Sequence, residues 1–238
     1  MDKNALYAEH WAQRASAELG AVKRFKTIHS RLQDQATHSS ILKLVNEAVT
    51  DEENHAYLCA KMAKSLGHKT GFTGSSGSVA PAKPSWHNLS EPKKLLLDLV
   101  LMSCVVESIN ANLMTTLFSN SKGSSVNGII RKILKDEIKH GKIGWAYLSY
   151  LQDQQELSFI AEYLTEMLDI AVRDELFDSN EAELQTNAYE FGVLPEEQRL
   201  DQFCDSLQNI VQPGLSHFGI DNSAVTNWLK EKTQMQLA

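Results

Sequence analysis

Two stretches of the chain lying 85 residues apart read alike: Asp51-Glu52-Glu53-Asn54-His55 and Asp136-Glu137-Ile138-Lys139-His140. Both spell Asp-Glu-x-x-His. Positions i and i+3 share one face of an α-helix, so Glu52 with His55, and Glu137 with His140, each form a two-toothed grip. From the 18 Glu and 8 His among 238 residues, chance supplies about 0.6 Glu-x-x-His matches. Requiring a preceding Asp lowers that expectation to about 0.03 for a single match, and the chain carries two. A duplicated helical motif asks for a fold in which two helices present it and two more complete what each motif begins.

The rest of the sequence supplies those helices. Alternating Val/Ile/Thr runs are missing, whereas apolar residues recur at helical spacing, as in Leu42, Val45, Val49, Ala56, Ala60 and Ala63, or Ile129, Ile133, Trp145 and Leu148. The pattern predicts helices over 4–34, 38–66, 91–119 and 125–152, with Ser90 as the N-cap of the third and Pro92 in its first turn. A Gly/Ser/Pro-rich crossover, 67–90, separates the second from the third, and it lacks the Gly-Lys-Ser/Thr of a phosphate loop. Short, long and short connections between helices of about 28 residues describe an all-α, ferritin-like four-helix bundle with one long crossover. Further helices are expected at 154–177, 180–190, 196–218 and 222–236. The stripe Leu157, Ile160, Ala161, Leu164, Leu168 and Val172 suits packing on the bundle or on the partner of a homodimer. The economical organisation is one domain, 1–238, with a core bundle at 4–152 and a C-terminal helical extension at 153–238.

Composition excludes several classes of function. Lys and Arg number 23 against 30 Asp and Glu, a net charge of −7, and no basic cluster stands out to meet nucleic-acid phosphates. The most apolar run, Leu95 to Val106, is shorter than the roughly 20 residues of a membrane span, and the N-terminus lacks the pattern of a secretory signal. Three scattered cysteines, Cys59, Cys104 and Cys204, make neither a disulfide framework nor a zinc ribbon. A reducing, cytoplasmic setting is expected.

If helices 1 and 2 run antiparallel about a turn near residue 36, positions level with 52–55 fall at 17–20, where Glu18 stands. A turn near 122 sends 137–140 back to about 104–107, where Glu107 interrupts an apolar run. A carboxylate there would be costly to bury without a counter-charge. The expected metal ligands are therefore Glu18, Glu52, His55, Glu107, Glu137 and His140, with Glu52 and Glu137 bridging two ions. Carboxylates with imidazole suit two Fe ions, with Mn or a mixed Fe/Mn pair as the alternative, better than Zn or Cu. Asp51 and Asp136 are either acceptors that each orient a histidine on the facing helix or surface acids near a helix middle.

These residues resemble the ferritin-like di-iron carboxylate superfamily. The paired Asp-Glu-x-x-His motifs are similar to those of bacterial multicomponent monooxygenases. His10-Trp11 through Phe25, Thr50 through Gly67 and Gly192 through Gly219 resemble small bacterial ferritin-like proteins of undefined function. Leu134 through His140, with Trp145 downstream, resembles cyanobacterial aldehyde-deformylating oxygenases. Departures narrow the choice. No Cys-x-x-Cys pair supplies a rubredoxin-like centre, and Cys59 stands where radical-forming ribonucleotide reductase subunits carry tyrosine. Ile133 stands where arylamine N-oxygenases present a third histidine, and the C-terminal extension suits a storage cage poorly.

The resemblance implies an oxidoreductase that activates O2 or peroxide, acting as an oxygenase or oxidase of a small organic substrate with a cellular electron donor. The alternative is ferroxidase or peroxide-scavenging activity with no organic substrate. Small residues near the ligands, Gly141 and Gly144 among them, either leave a cavity beside the metals or let helices approach closely. Cys59 and Cys104 either line the site or are buried, inert thiols. Trp11 and Phe25 read as core, Tyr147 as core or else an electron relay near the metals, and the remaining histidines as surface or capping residues.

Overall fold

A computed structural model describes residues 3–35, 37–73, 84–175 and 188–236. Among them every regular element is helical, as the apolar period requires: α1 (Lys3–Asp34), α2 (Ser39–Ser65), α3 (Glu91–Leu99), a π-helical segment (Val100–Glu107), α4 (Ser108–Asn120), α5 (Asn127–Leu151), α6 (Leu164–Glu175), α7 (Glu196–Ser206), a second π segment (Leu207–Val211), α8 (Gln212–His217) and α9 (Ser223–Gln236). The chain forms two compact units, one from 1–83, 113–136 and 179–198, the other from 84–112, 137–178 and 199–238.

In the first unit α1 and α2 pack along their lengths. His38 ends the turn between them, its Nδ1 accepting from Ser40 N at 3.3 Å, so one of the orphan donors of α2 is satisfied. Buried Val45, Ala48, Val49, Ala56, Cys59, Ala60 and Ala63 form the inner stripe of α2, and Trp11, Phe25 and Leu32 are buried on α1. After α2 the chain turns through Gly67 and Gly71, both at positive φ; a Cβ on Gly71 would lie 2.6 Å from the Ala60 carbonyl oxygen. Residues 188–194 cover the N-terminal part of α1. There Trp11 Nε1 donates to Phe191 O at 2.7 Å, Phe191 stacks on Tyr7 at 4.2 Å, and Gly192 (φ +75) comes too close to Trp11 to bear a side chain.

In the second unit α6 packs on the first π segment and on α9. Trp228 Nε1 donates to Asp169 Oδ1 at 2.9 Å, and Phe203 packs on the Trp228 ring at 5.9 Å. Asn112 donates to Gln202 O at 3.2 Å and to Ser206 Oγ at 3.0 Å, tying α4 to α7. Leu157, Ile160, Leu164 and Leu168 of the apolar stripe are buried.

The structure differs from the sequence reading in three places. The helix expected at 91–119 is a continuous run, Glu91–Asn120, but its middle is π-helical. That run is long and apolar enough to cross a membrane, and 78% of its most apolar window is buried inside the protein, as in a core helix. The helix expected from 154 begins as a 3-10 turn, Ser158–Tyr163, and becomes α-helical only at Leu164. A short turn at Ser85–Asn88 docks there: Ser85 N donates to Glu166 Oε1 at 2.9 Å, and Trp86 meets Tyr163 edge-on at 5.9 Å. The helix expected at 196–218 contains the second π segment, directly before Pro213, whose ring nitrogen has no proton for the Asn209 carbonyl. Of the helix expected at 180–190, Ala188–Phe191 form a 3-10 turn; its remainder, and residues 74–83 of the crossover, lie outside the described residues.

Candidate metal centre

Each unit holds one buried Glu-Glu-His triad. In the first, α1 presents Glu18 while α2 presents Glu52 and His55, with 7%, 1% and 0% of their surfaces exposed. One candidate ligand atom from each lies within 4.8 Å of the others. His55 Nδ1 is 3.4 Å from Glu52 Oε2 and 4.0 Å from Glu18 Oε2, whereas Nε2 faces Asp136 Oδ2 at 3.5 Å. The ring therefore turns Nδ1 toward the carboxylates and Nε2 toward an acceptor. In this orientation a proton on Nε2 would point to Asp136 and leave the Nδ1 lone pair for an ion. Asp51 is half-buried on α2, one residue before Glu52.

In the second unit the π segment ends on Glu107, and α5 presents Glu137 and His140, with 2%, 1% and 1% exposed. Their candidate ligand atoms also lie within 4.8 Å of one another. His140 Nδ1 is 3.5 Å from Glu137 Oε2, the same i,i+3 geometry as in the first triad.

Sequence reasoning missed two neighbours of these triads. Arg14 Nε stands 3.3 Å from Glu18 Oε1; the signal was the Arg-x-x-x-Glu spacing, which puts the pair on one helical face. Ser103, fully buried four residues before Glu107, donates to His140 O and accepts from Gly144 N at 2.7 Å. Its signal was only a hydroxyl in an otherwise apolar run.

Gly141 and Gly144 mark close approach. A Cβ on Gly144 would fall 2.4 Å from Cys104 Sγ and 3.1 Å from Ser103 Cβ, and one on Gly141 would fall 3.3 Å from Ser108 Oγ. Cys59 and Cys104 are fully buried, and burial pushes the Cys104 thiol well above its ordinary range, so it remains protonated. Trp11 and Phe25 are core, and buried Tyr147 stacks on Tyr150 at 6.2 Å. His38 caps α2, and His68 accepts from Gly71 N at 2.9 Å while its Nε2 meets Glu9 at 3.2 Å.

Two carboxylates within 4.8 Å of one another, both nearly inaccessible to water, recur in each unit. Two buried carboxylates so close together repel one another, and a divalent cation held between them would relieve that repulsion. Spacing is the second test of fit. Ligands roughly 2.0–2.2 Å from one ion stand at most about 4.4 Å apart. The His55 separations of 3.4 and 4.0 Å and the His140 separation of 3.5 Å fall inside that limit. Each buried cluster could hold a metal ion. No protein-family model matches the chain, and no curated protein matches it.

Proposed function

We propose that the protein is a ferritin-like di-iron carboxylate oxidoreductase that reduces O2 or peroxide at the expense of a small organic molecule. The observation that carries this reading is the pair of buried Glu-Glu-His triads. Their oxygen and nitrogen donors, without a thiolate, suit Fe(II) or Mn(II). One ion per triad gives two metals per chain. Iron, when bound, supplies the electrons and Lewis acidity that O2 chemistry needs and side chains lack.

The chain's own residues supply the surroundings. Glu18 and Glu52 in one triad, and Glu107 and Glu137 in the other, provide the negative charge that retains a divalent cation in a dry interior. Asp136 holds the His55 ring with Nδ1 toward the two carboxylates. Buried apolar neighbours such as Ala48, Ala56, Val106 and Ile143 exclude bulk water.

A second reading, iron oxidation or peroxide removal with no organic substrate, draws support from Gly141 and Gly144. Both glycines serve close approach, so neither supplies open space for a substrate.

The deciding experiment loads the apoprotein anaerobically with Fe(II), admits O2 and follows absorbance with and without candidate substrates. About two irons per chain, with turnover accelerated by one class of organic compound, supports the oxidoreductase reading. Iron oxidation indifferent to every organic additive supports the second. Protein from iron-replete cells that contains neither iron nor manganese, and that His55→Ala and Glu137→Ala leave unchanged, refutes both.

A further inference from the structure

The π segment that ends on Glu107 is hydrogen-bonded to the helix carrying His140 through the Ser103 hydroxyl. Ser103 Oγ donates to His140 O and accepts from Gly144 N at 2.7 Å. These two backbone groups are the ends of one i→i−4 rung of α5. A hydroxyl has one proton to give and two lone pairs, so Ser103 can serve both ends at once. A side chain set into the helical ladder displaces the local backbone, and here the rung begins at a candidate ligand.

The neighbourhood is built around that contact. Ser103 is fully buried. A Cβ on Gly144 would strike Cys104 Sγ at 2.4 Å and crowd Ser103 Cβ at 3.1 Å, so glycine is the residue that lets the hydroxyl reach α5. The Ser103 carbonyl in turn accepts from Ser108 Oγ at 3.4 Å, five residues on and just past Glu107. The π turn and the α5 rung thus share one anchor, four residues before Glu107 and at the backbone of His140.

We propose that Ser103 is a positioning residue for the second triad, its hydroxyl setting the His140 backbone relative to Glu107 so that both side chains reach one metal ion. This rests on the two-metal reading above. Groups that support metal ligands from behind change affinity by about 10- to 100-fold when removed. The fold depends on the contact much less. Without the hydroxyl, Gly144 N and His140 O remain opposite one another in the helical ladder.

Co(II) tests the proposal, because its visible absorption reports ligand geometry ion by ion. Apoprotein and its Ser103→Ala variant are titrated with Co(II), and thermal midpoints are measured in a chelator. The expected result is one of two ions bound about tenfold more weakly with a changed visible band, the other ion unaffected, and a nearly unchanged thermal midpoint. Ser103→Cys, which fills the same space with a weak hydrogen-bonding group, should share the loss; it also carries the test if the alanine variant fails to fold. Two ions bound with wild-type affinity and spectrum in both variants overturn the role of Ser103 alone. Equal weakening of both ions together with a lowered thermal midpoint also overturns it, since that is the mark of general destabilisation. Wild-type protein that binds no Co(II) overturns the two-metal reading itself.

Discussion

Replacing Glu107 by Gln should raise the stability of the metal-free protein and remove the extra stability that metal confers on the second triad. Glu107 and Glu137 are buried, with candidate ligand oxygens no more than 4.8 Å apart. Two unit charges at 4.8 Å repel by about 3.5 kcal/mol at an effective dielectric of about 20. Local relaxation and residual solvation offset part of that repulsion, so the gain in apo stability should be about 1–3 kcal/mol. For 238 residues this corresponds to a rise of roughly 2–12 °C in the thermal midpoint. The metal-bound state moves the other way. A ligand present at 100 times its Kd contributes about 2.7 kcal/mol, and most of that contribution at this triad disappears with the carboxylate. Scanning calorimetry in a chelator and again with excess Mn(II) measures both limbs, and the two curves should cross between wild type and variant. A Glu107→Gln protein that is less stable without metal, yet gains as much from Mn(II) as wild type, would refute a charged metal site at Glu107.

The remaining expectations are simpler. Asp136→Ala should weaken the first triad's metal by about 10- to 100-fold, because the His55 ring loses the group that faces Nε2 at 3.5 Å; metal titration reads this directly, and an unchanged affinity refutes the orienting role. Gly144→Ala should destabilise by roughly 1–2 kcal/mol in urea unfolding, the overpacking against Cys104 Sγ at 2.4 Å outweighing alanine's better helix propensity. A variant as stable as wild type would mean that the close approach is not there. Since burial raises the Cys104 thiol above its value in the unfolded chain, the unfolded state sheds this proton first as pH rises. Stability should therefore be intact below about pH 9 and decline above it. Cys104→Ala should flatten that decline, and an identical alkaline profile in the variant contradicts the buried, protonated thiol.

What could be read from sequence followed from how locally each feature is determined. Glu52 with His55, and Glu137 with His140, need only a helix to share a face, and a helix needs only the apolar period. Glu18 required one more step, an antiparallel partner turning near residue 36, and the structure sets it 4.0 Å from His55. The π turn at Val100–Glu107 had no such local cause. It accompanies a hydroxyl on another helix's backbone and a glycine 41 residues away, Gly144, that admits the hydroxyl. The 3-10 turn at Ser158–Tyr163 likewise lies where Ser85 and Trp86 dock, contacts between residues far apart in the chain. The second π segment does have a local cause, Pro213 just beyond it, which the reading of 196–218 as one unbroken helix left out of account.

The same distinction bears on which residues make a centre of this kind selective. Four of the proposed ligand positions, Glu52, His55, Glu137 and His140, can be inferred from spacing alone, because i and i+3 share one face of a helix. In the proposed centre the geometry around an ion would be set a layer further out, by Asp136 behind His55, Arg14 at 3.3 Å from Glu18, and Ser103 behind His140. None of the three belongs to the Glu-x-x-His grip itself, and each acts through a different physical term: a carboxylate on a ring nitrogen, a cation on a ligand oxygen, a hydroxyl on a ligand's carbonyl. Arg14 is the most consequential for metal loading, since a guanidinium at 3.3 Å already neutralises part of the Glu18 charge that an incoming cation would use. Arg14→Gln should therefore strengthen divalent binding at the first triad by several-fold at neutral pH, with the second triad unchanged. Co(II) titration resolves the two ions. Weaker binding at the first triad would instead make Arg14 a brace for Glu18, its hydrogen bond mattering more than its charge.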